Sequence, residues 1–127
     1  MRITTWNINS VRLRIGLALK LLDQSRPDVL CLQETKCPDE QFPFEAFRDI
    51  GYKYIAVNGM KAYNGVALIS RVPFESELAL DWTERSDCRH ISGVFPGDIE
   101  IHNFYVPAGG DEPDIERNDK LLTNKHP

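Results

Sequence analysis

Residues 26 to 36 read Arg26-Pro27-Asp28-Val29-Leu30-Cys31-Leu32-Gln33-Glu34-Thr35-Lys36, and their pattern sets the layout of the chain. A proline start, an unbroken apolar run from Val29 to Leu32 and an abrupt polar edge predict a strand buried on both faces that ends at a carboxylate. Glu34 is then held at the rim of a sheet, where layered α/β folds place ligands and metals. Taken alone, such a glutamate is better read as a surface residue just past a core strand.

A second stretch of the same design changes that balance. Arg2-Ile3-Thr4-Thr5-Trp6-Asn7-Ile8-Asn9-Ser10 opens with a β-prone run and also ends in oxygen-bearing side chains, Asn7 and Asn9. Hard cations such as Mg²⁺ and Mn²⁺ take oxygen ligands, keep several waters and need only one or two protein carboxylates. An Asn7/Glu34 pair on neighbouring strand ends suits them. Between the two strands, Val11, Ile15, Ala18, Leu19 and Leu22 recur at helical spacing, which predicts an amphipathic helix from Val11 to about Ser25 with Ser10 as its cap. Strand, helix, strand is a βαβ-like opening, and parallel strands would bring Asn7 and Glu34 to equivalent ends.

Further along, Pro38, Pro43, Phe44, Phe47 and Ile50 predict a loop and a short helix before Gly51, with the phenylalanines as core contacts rather than a base-stacking platform. Tyr52 to Val57 reads as a strand, Asn58-Gly59 as a turn and Val66 to Ile69 as a second buried strand. Glu75 to Leu80 alternates and leads into the charged run Asp81 to Asp87, which reads as a solvated loop. His90 to Phe95 and Ile99 to Val106 are strands about the Pro96-Gly97-Asp98 turn, with Ile99, Ile101, Asn103 and Tyr105 on one face. His90 and His102 read as ordinary strand residues, not ligands.

At 127 residues the chain is one domain or part of one, and its 42% hydrophobic content suffices for a packed core. The net charge of −4 argues against a generic, charge-driven nucleic-acid binder but does not exclude a nuclease, whose metal-holding carboxylates add negative charge. Three cysteines without a Cys-x-x-Cys spacing indicate neither a disulfide framework nor a zinc cluster. With no membrane span and no basic-then-apolar leader, the chain reads as cytoplasmic.

The motifs W-N-I-N-S-V-R at 6–12, P-D-V-L-C-L-Q-E-T-K at 27–36, Y-N-G-V-A-L-I-S at 63–70 and N-F-Y-V-P-A-G-G at 103–110 resemble, in order, the N-terminal half of the exonuclease III / AP endonuclease family. The resemblance covers nearly all of residues 1–120, leaving 121–127 as a divergent tail. It implies an α+β fold, a DNase I-like four-layer α/β sandwich present here as its first half, one sheet with flanking helices. It implies a DNA-repair nuclease with 3'-5' exonuclease and AP endonuclease activity, acting with Mg²⁺ or Mn²⁺ on double-stranded DNA with abasic sites or 3' ends. On that resemblance Asn7 and Glu34 bind metal and Tyr105 acts at the scissile phosphate, while Asn9, Arg12, Lys36, Lys61, Tyr63, Asn64 and Arg89 are DNA-contact candidates.

The family's Asp-x-Asn and Asp-His motifs, which handle water, leaving group and phosphate, belong to its second half and have no counterpart in these residues. The sequence therefore predicts a truncated nuclease, inactive alone, whose bare apolar sheet face promotes self-association. Two alternatives remain: a phosphoesterase of the same fold with another substrate, and a non-catalytic binding domain.

Overall fold

The computed structural model describes residues 1–77 and 87–106. Strand β1 (Ile3–Asn7) leads through helix α1 (Ile15–Ser25) to strand β2 (Val29–Gln33). β1 and β2 are parallel, with Asn7 opposite Gln33, so Asn7 and Glu34 do emerge at the same end of the sheet. The helix begins later than the sequence suggested. Ser10 caps a preceding turn, its Oγ accepting from Leu13 N at 3.3 Å, and α1 proper starts only after Arg14. Arg26 ends the helix in the left-handed region, φ 45°, and Pro27 prevents its continuation.

A short 3₁₀ turn (Asp39–Gln41) and helix α2 (Phe44–Arg48) follow. Strands β3 (Tyr54–Asn58) and β4 (Val66–Ser70) then complete a sheet of order β1-β2-β4-β3, in which β4 runs antiparallel to both neighbours. One face of this sheet meets the helices. Leu30, Leu32, Ala67 and Ile69 pack there with Ala18, Leu22, Phe42, Phe47 and Tyr52, so the phenylalanines are core residues as read.

Strands β5 (Glu75–Glu77), β6 (His90–Phe95) and β7 (Ile99–Phe104) form a second, antiparallel sheet. The layered α+β architecture is the one the sequence implied, but the expectation of one sheet is corrected to two. β4 already has β2 and β3 on its two sides, so later strands have no slot beside it. They stack instead on the other apolar face of the first sheet, where Ile91, Phe95 and Ile101 bury Val29, Cys31, Val66 and Leu68. β7 lies against β2 and β4, and β6 against β4 and β3, which among the described residues leaves the inward face of β1 largely uncovered. Ile3, Thr5 and Asn7 on that face are exposed. Residues 78–80 of the alternating run, most of the charged loop, the 107–110 loop and the 121–127 tail lie outside the described residues.

Candidate active site

Five loop segments are knitted together at one end of the two sheets. The loop after β1 runs beside the loop after β2, with Ile8 N donating to Gln33 O, Ser10 N to Glu34 O at 2.8 Å and Val11 N to Thr35 O. The loop after β2 is in turn tied to the start of β4, Thr35 N donating to Gly65 O and Lys36 N to Asn64 O at 2.9 Å. Gly65 N donates to Cys88 O, and Tyr105 N donates to Arg89 O. These turns are tight. Asn9, Ser10, Glu34, Lys36, Asn64 and Cys88 all have positive φ, a conformation that side-chain-bearing residues adopt at a cost and that clusters at functional sites.

Within this ring Glu34 is half-buried, and its carboxylate lies near enough to the phenol of Tyr105, one residue past β7, to act on it. Burial first, then the neighbouring Glu34 carboxylate, push the Tyr105 hydroxyl above the ordinary phenol range, and nearby Arg89 partly offsets them. At neutral pH the phenol is a protonated donor. Arg89 Nε lies 3.2 Å from Asp87 Oδ2 as an ion pair, yet Nε and Nη1 are shut off from solvent and make no hydrogen bond. The Asp87 carboxylate balances the buried charge, and Nη1 is left as a donor without an acceptor among the described residues.

Asn7 is exposed at the end of β1. Together Asn7 and Glu34 offer two hard oxygen donors, one of them anionic, with solvent access for waters. That fits Mg²⁺ or Mn²⁺ and does not fit zinc, which prefers nitrogen and sulfur. Among the described residues no group of three or more His, Cys, Asp or Glu could hold a metal.

The other sequence-derived candidates fall into two sets. Lys36 Nζ donates to Asn9 Oδ1 at 2.5 Å, so these two are joined at the rim. Arg12 is exposed nearby and hydrogen-bonds Gln41 Oε1. Lys61 and Tyr63 project from the β3–β4 loop, Tyr63 with 59% of its surface exposed. Asn64 differs: its Nδ2 donates to Asp87 O at 2.8 Å, which gives it a loop-bracing task.

The sequence reading missed two features. Asn103, 3% exposed, is a lone amide on the apolar face of β7, and its position among Ile99 and Ile101 was the available signal. His90 Nε2 lies 2.9 Å from His102 Nδ1, and His102 Nε2 lies 2.7 Å from Glu100 Oε1, a pairing created by the β6–β7 register.

A profile of the endonuclease/exonuclease/phosphatase family matches residues 4–125. The chain belongs to that family. Within it, the chain is 37% identical over 125 residues to exodeoxyribonuclease III of Haemophilus influenzae, covering 85% of this chain and 46% of that protein. An AP endonuclease from Archaeoglobus fulgidus superposes with a TM-score of 0.77 at 38% identity, covering 86% of this chain and 42% of the other. A 3' phosphatase from Neisseria, solved bound to a product DNA hairpin, superposes with a TM-score of 0.82 at 31% identity, covering 98% and 49%. This endonuclease/exonuclease/phosphatase chain thus spans about half the length of these relatives. Divalent-metal dependence is general among the family's nucleases.

Proposed function

We propose that the chain is the first half of a DNA-repair nuclease of the exodeoxyribonuclease III type, hydrolysing phosphodiesters at abasic sites and 3' ends of double-stranded DNA. The observation that carries this reading is the closeness of Tyr105 to Glu34, which follow strands of two different sheets at the open end of the fold. A phenol that is protonated at neutral pH then stands beside a metal-suited carboxylate, with the Arg89 guanidinium close by.

Asn7 and Glu34 would hold Mg²⁺ or Mn²⁺, which supplies positive charge for the oxyanions that develop in phosphodiester cleavage. Tyr105 donates a hydrogen bond to a phosphoryl oxygen, and the positive charge of the Arg89 guanidinium favours the same anion. Arg12, Lys36, Lys61 and Tyr63 extend the contact along the DNA backbone from the rim. They position the duplex rather than read its bases. In this reading the group that takes the proton from the attacking water comes from the complementary half of the fold.

The test is cleavage of a duplex with one abasic site, in Mg²⁺ and then in EDTA, by residues 1–127 alone and by the same chain joined to a family second half. Metal-dependent cleavage only after joining, abolished by Glu34→Ala, is the expected result. Robust cleavage by the short chain that survives Glu34→Ala overturns the assignment of the site.

A further inference from the structure

Below the candidate site, a pair of side-chain amides ties the two sheets together. Asn103 on β7 gives both Nδ2 hydrogens across the sheet interface, to Leu32 O at 2.9 Å and to Ala67 O at 2.8 Å. Leu32 and Ala67 are direct partners in the β2–β4 register, and each carbonyl has a second lone pair free for such a bond. Asn103 Oδ1 accepts from Gln33 Nε2 at 2.8 Å, and the same Nε2 donates to Thr5 Oγ1 at 2.8 Å on β1. Four strands, β1, β2, β4 and β7, thereby meet at one amide pair. The network also fixes which way the Asn103 amide points, because a flip would set its oxygen against two carbonyls.

An amide is an unusual choice for this place. The surrounding interface is made of Val29, Cys31, Val66, Leu68, Ile91 and Ile101, and an apolar side chain would suit it. A fully satisfied buried amide adds little stability over an apolar residue of similar shape. What it adds is direction, since hydrogen bonds fix the slide of one sheet over the other where apolar contacts tolerate sliding. The leverage is local. Leu32 stands two residues before Glu34, and Asn103 two residues before Tyr105, so the tie lies one strand repeat beneath the point where both side chains emerge.

We propose that Asn103, oriented by Gln33, is a positioning residue that sets the inter-sheet register holding Tyr105 against Glu34. Its catalytic consequence rests on the nuclease reading above; the geometric claim does not.

The test uses nuclear magnetic resonance on the isotopically labelled full chain, and so needs neither substrate nor turnover. In the wild type, trans-hydrogen-bond scalar couplings should run from Asn103 Nδ2 to the carbonyl carbons of Leu32 and Ala67, and nuclear Overhauser contacts should join the Tyr105 ring to the Glu34 side chain. Absence of the couplings overturns the proposal. Asn103→Ala should lose the Tyr105–Glu34 contacts, whereas Ile101→Val, an apolar loss on the same face of the same strand, should keep them. Contacts that persist in Asn103→Ala, or that vanish equally in Ile101→Val, overturn it. If Asn103→Ala does not fold, Gln33→Leu decides, because it spares both Asn103 donors and removes the Gln33 bonds to Asn103 Oδ1 and Thr5 Oγ1: weakened contacts support the proposal and unchanged contacts overturn it. In the chain joined to a second half, Asn103→Ala should lower kcat with KM unchanged. Failure of the wild-type joined chain to cleave DNA would count against the nuclease reading alone.

Discussion

The phenol of Tyr105 lies beside the carboxylate of Glu34, and the two residues follow strands of different sheets. β2 delivers the acid and β7 the phenol, so neither strand makes the pair by itself.

This pair gives the first prediction. In the chain joined to a complementary half, Tyr105→Phe removes a donor aimed at the reacting phosphate while keeping the ring's packing. Loss of one such donor lowers kcat by about 10²–10³. Glu34→Gln should act differently, weakening Mn²⁺ binding measured by electron paramagnetic resonance, because a neutral amide replaces the anionic ligand. Tyr105→Phe should leave that metal affinity close to wild type.

A second prediction concerns acid. Burial, and after it the neighbouring charge of His102, hold the His90 imidazole below its ordinary 6.5. Among the groups facing it are His102, itself paired with Glu100, and the ring of Phe104. A lowered folded pKa means the native state favours neutral His90. The stability this contributes is present above about pH 6.5 and is lost as pH falls through the lower folded value. Urea midpoints should therefore decline below that pH, and His90→Phe should flatten the decline.

Gly65 gives the third. Its φ of +94° is unfavourable for any side chain, and an added Cβ would stand 2.1 Å from Thr35 Oγ1. Gly65→Ala should cost about 1–3 kcal/mol of stability, read as a lower urea midpoint. Because Gly65 O accepts from Thr35 N, amide resonances of Glu34 and Lys36 should shift as well.

Self-association gives the fourth. β1 is an edge strand among the described residues, and Ile3 on its uncovered inward face is 49% exposed. An edge with an apolar face invites pairing with another chain. Sedimentation velocity on the 127-residue chain should show association that grows with concentration, and Ile3→Lys should suppress it. Monomer throughout, in the wild type, would refute this.

The sequence by itself determined the local elements. The run Val29 to Leu32 marked a strand buried on two faces, the apolar stripe through Ala18 and Leu22 marked a helix facing a core, though not its first turn, and Pro27 marked where that helix stops. These are properties of short windows, where period and backbone chemistry suffice. It also marked Asn7, Glu34 and Tyr105 as strand-end residues, through ordered motifs. Tertiary structure decided what those residues meet. That the later strands stack as a second sheet, that Tyr105 reaches Glu34, that His90 pairs with His102 and that Asn103 ties Leu32 to Ala67 all depend on register between segments far apart in the chain. Register is set by the summed packing of whole faces, a quantity that no single stretch of sequence contains.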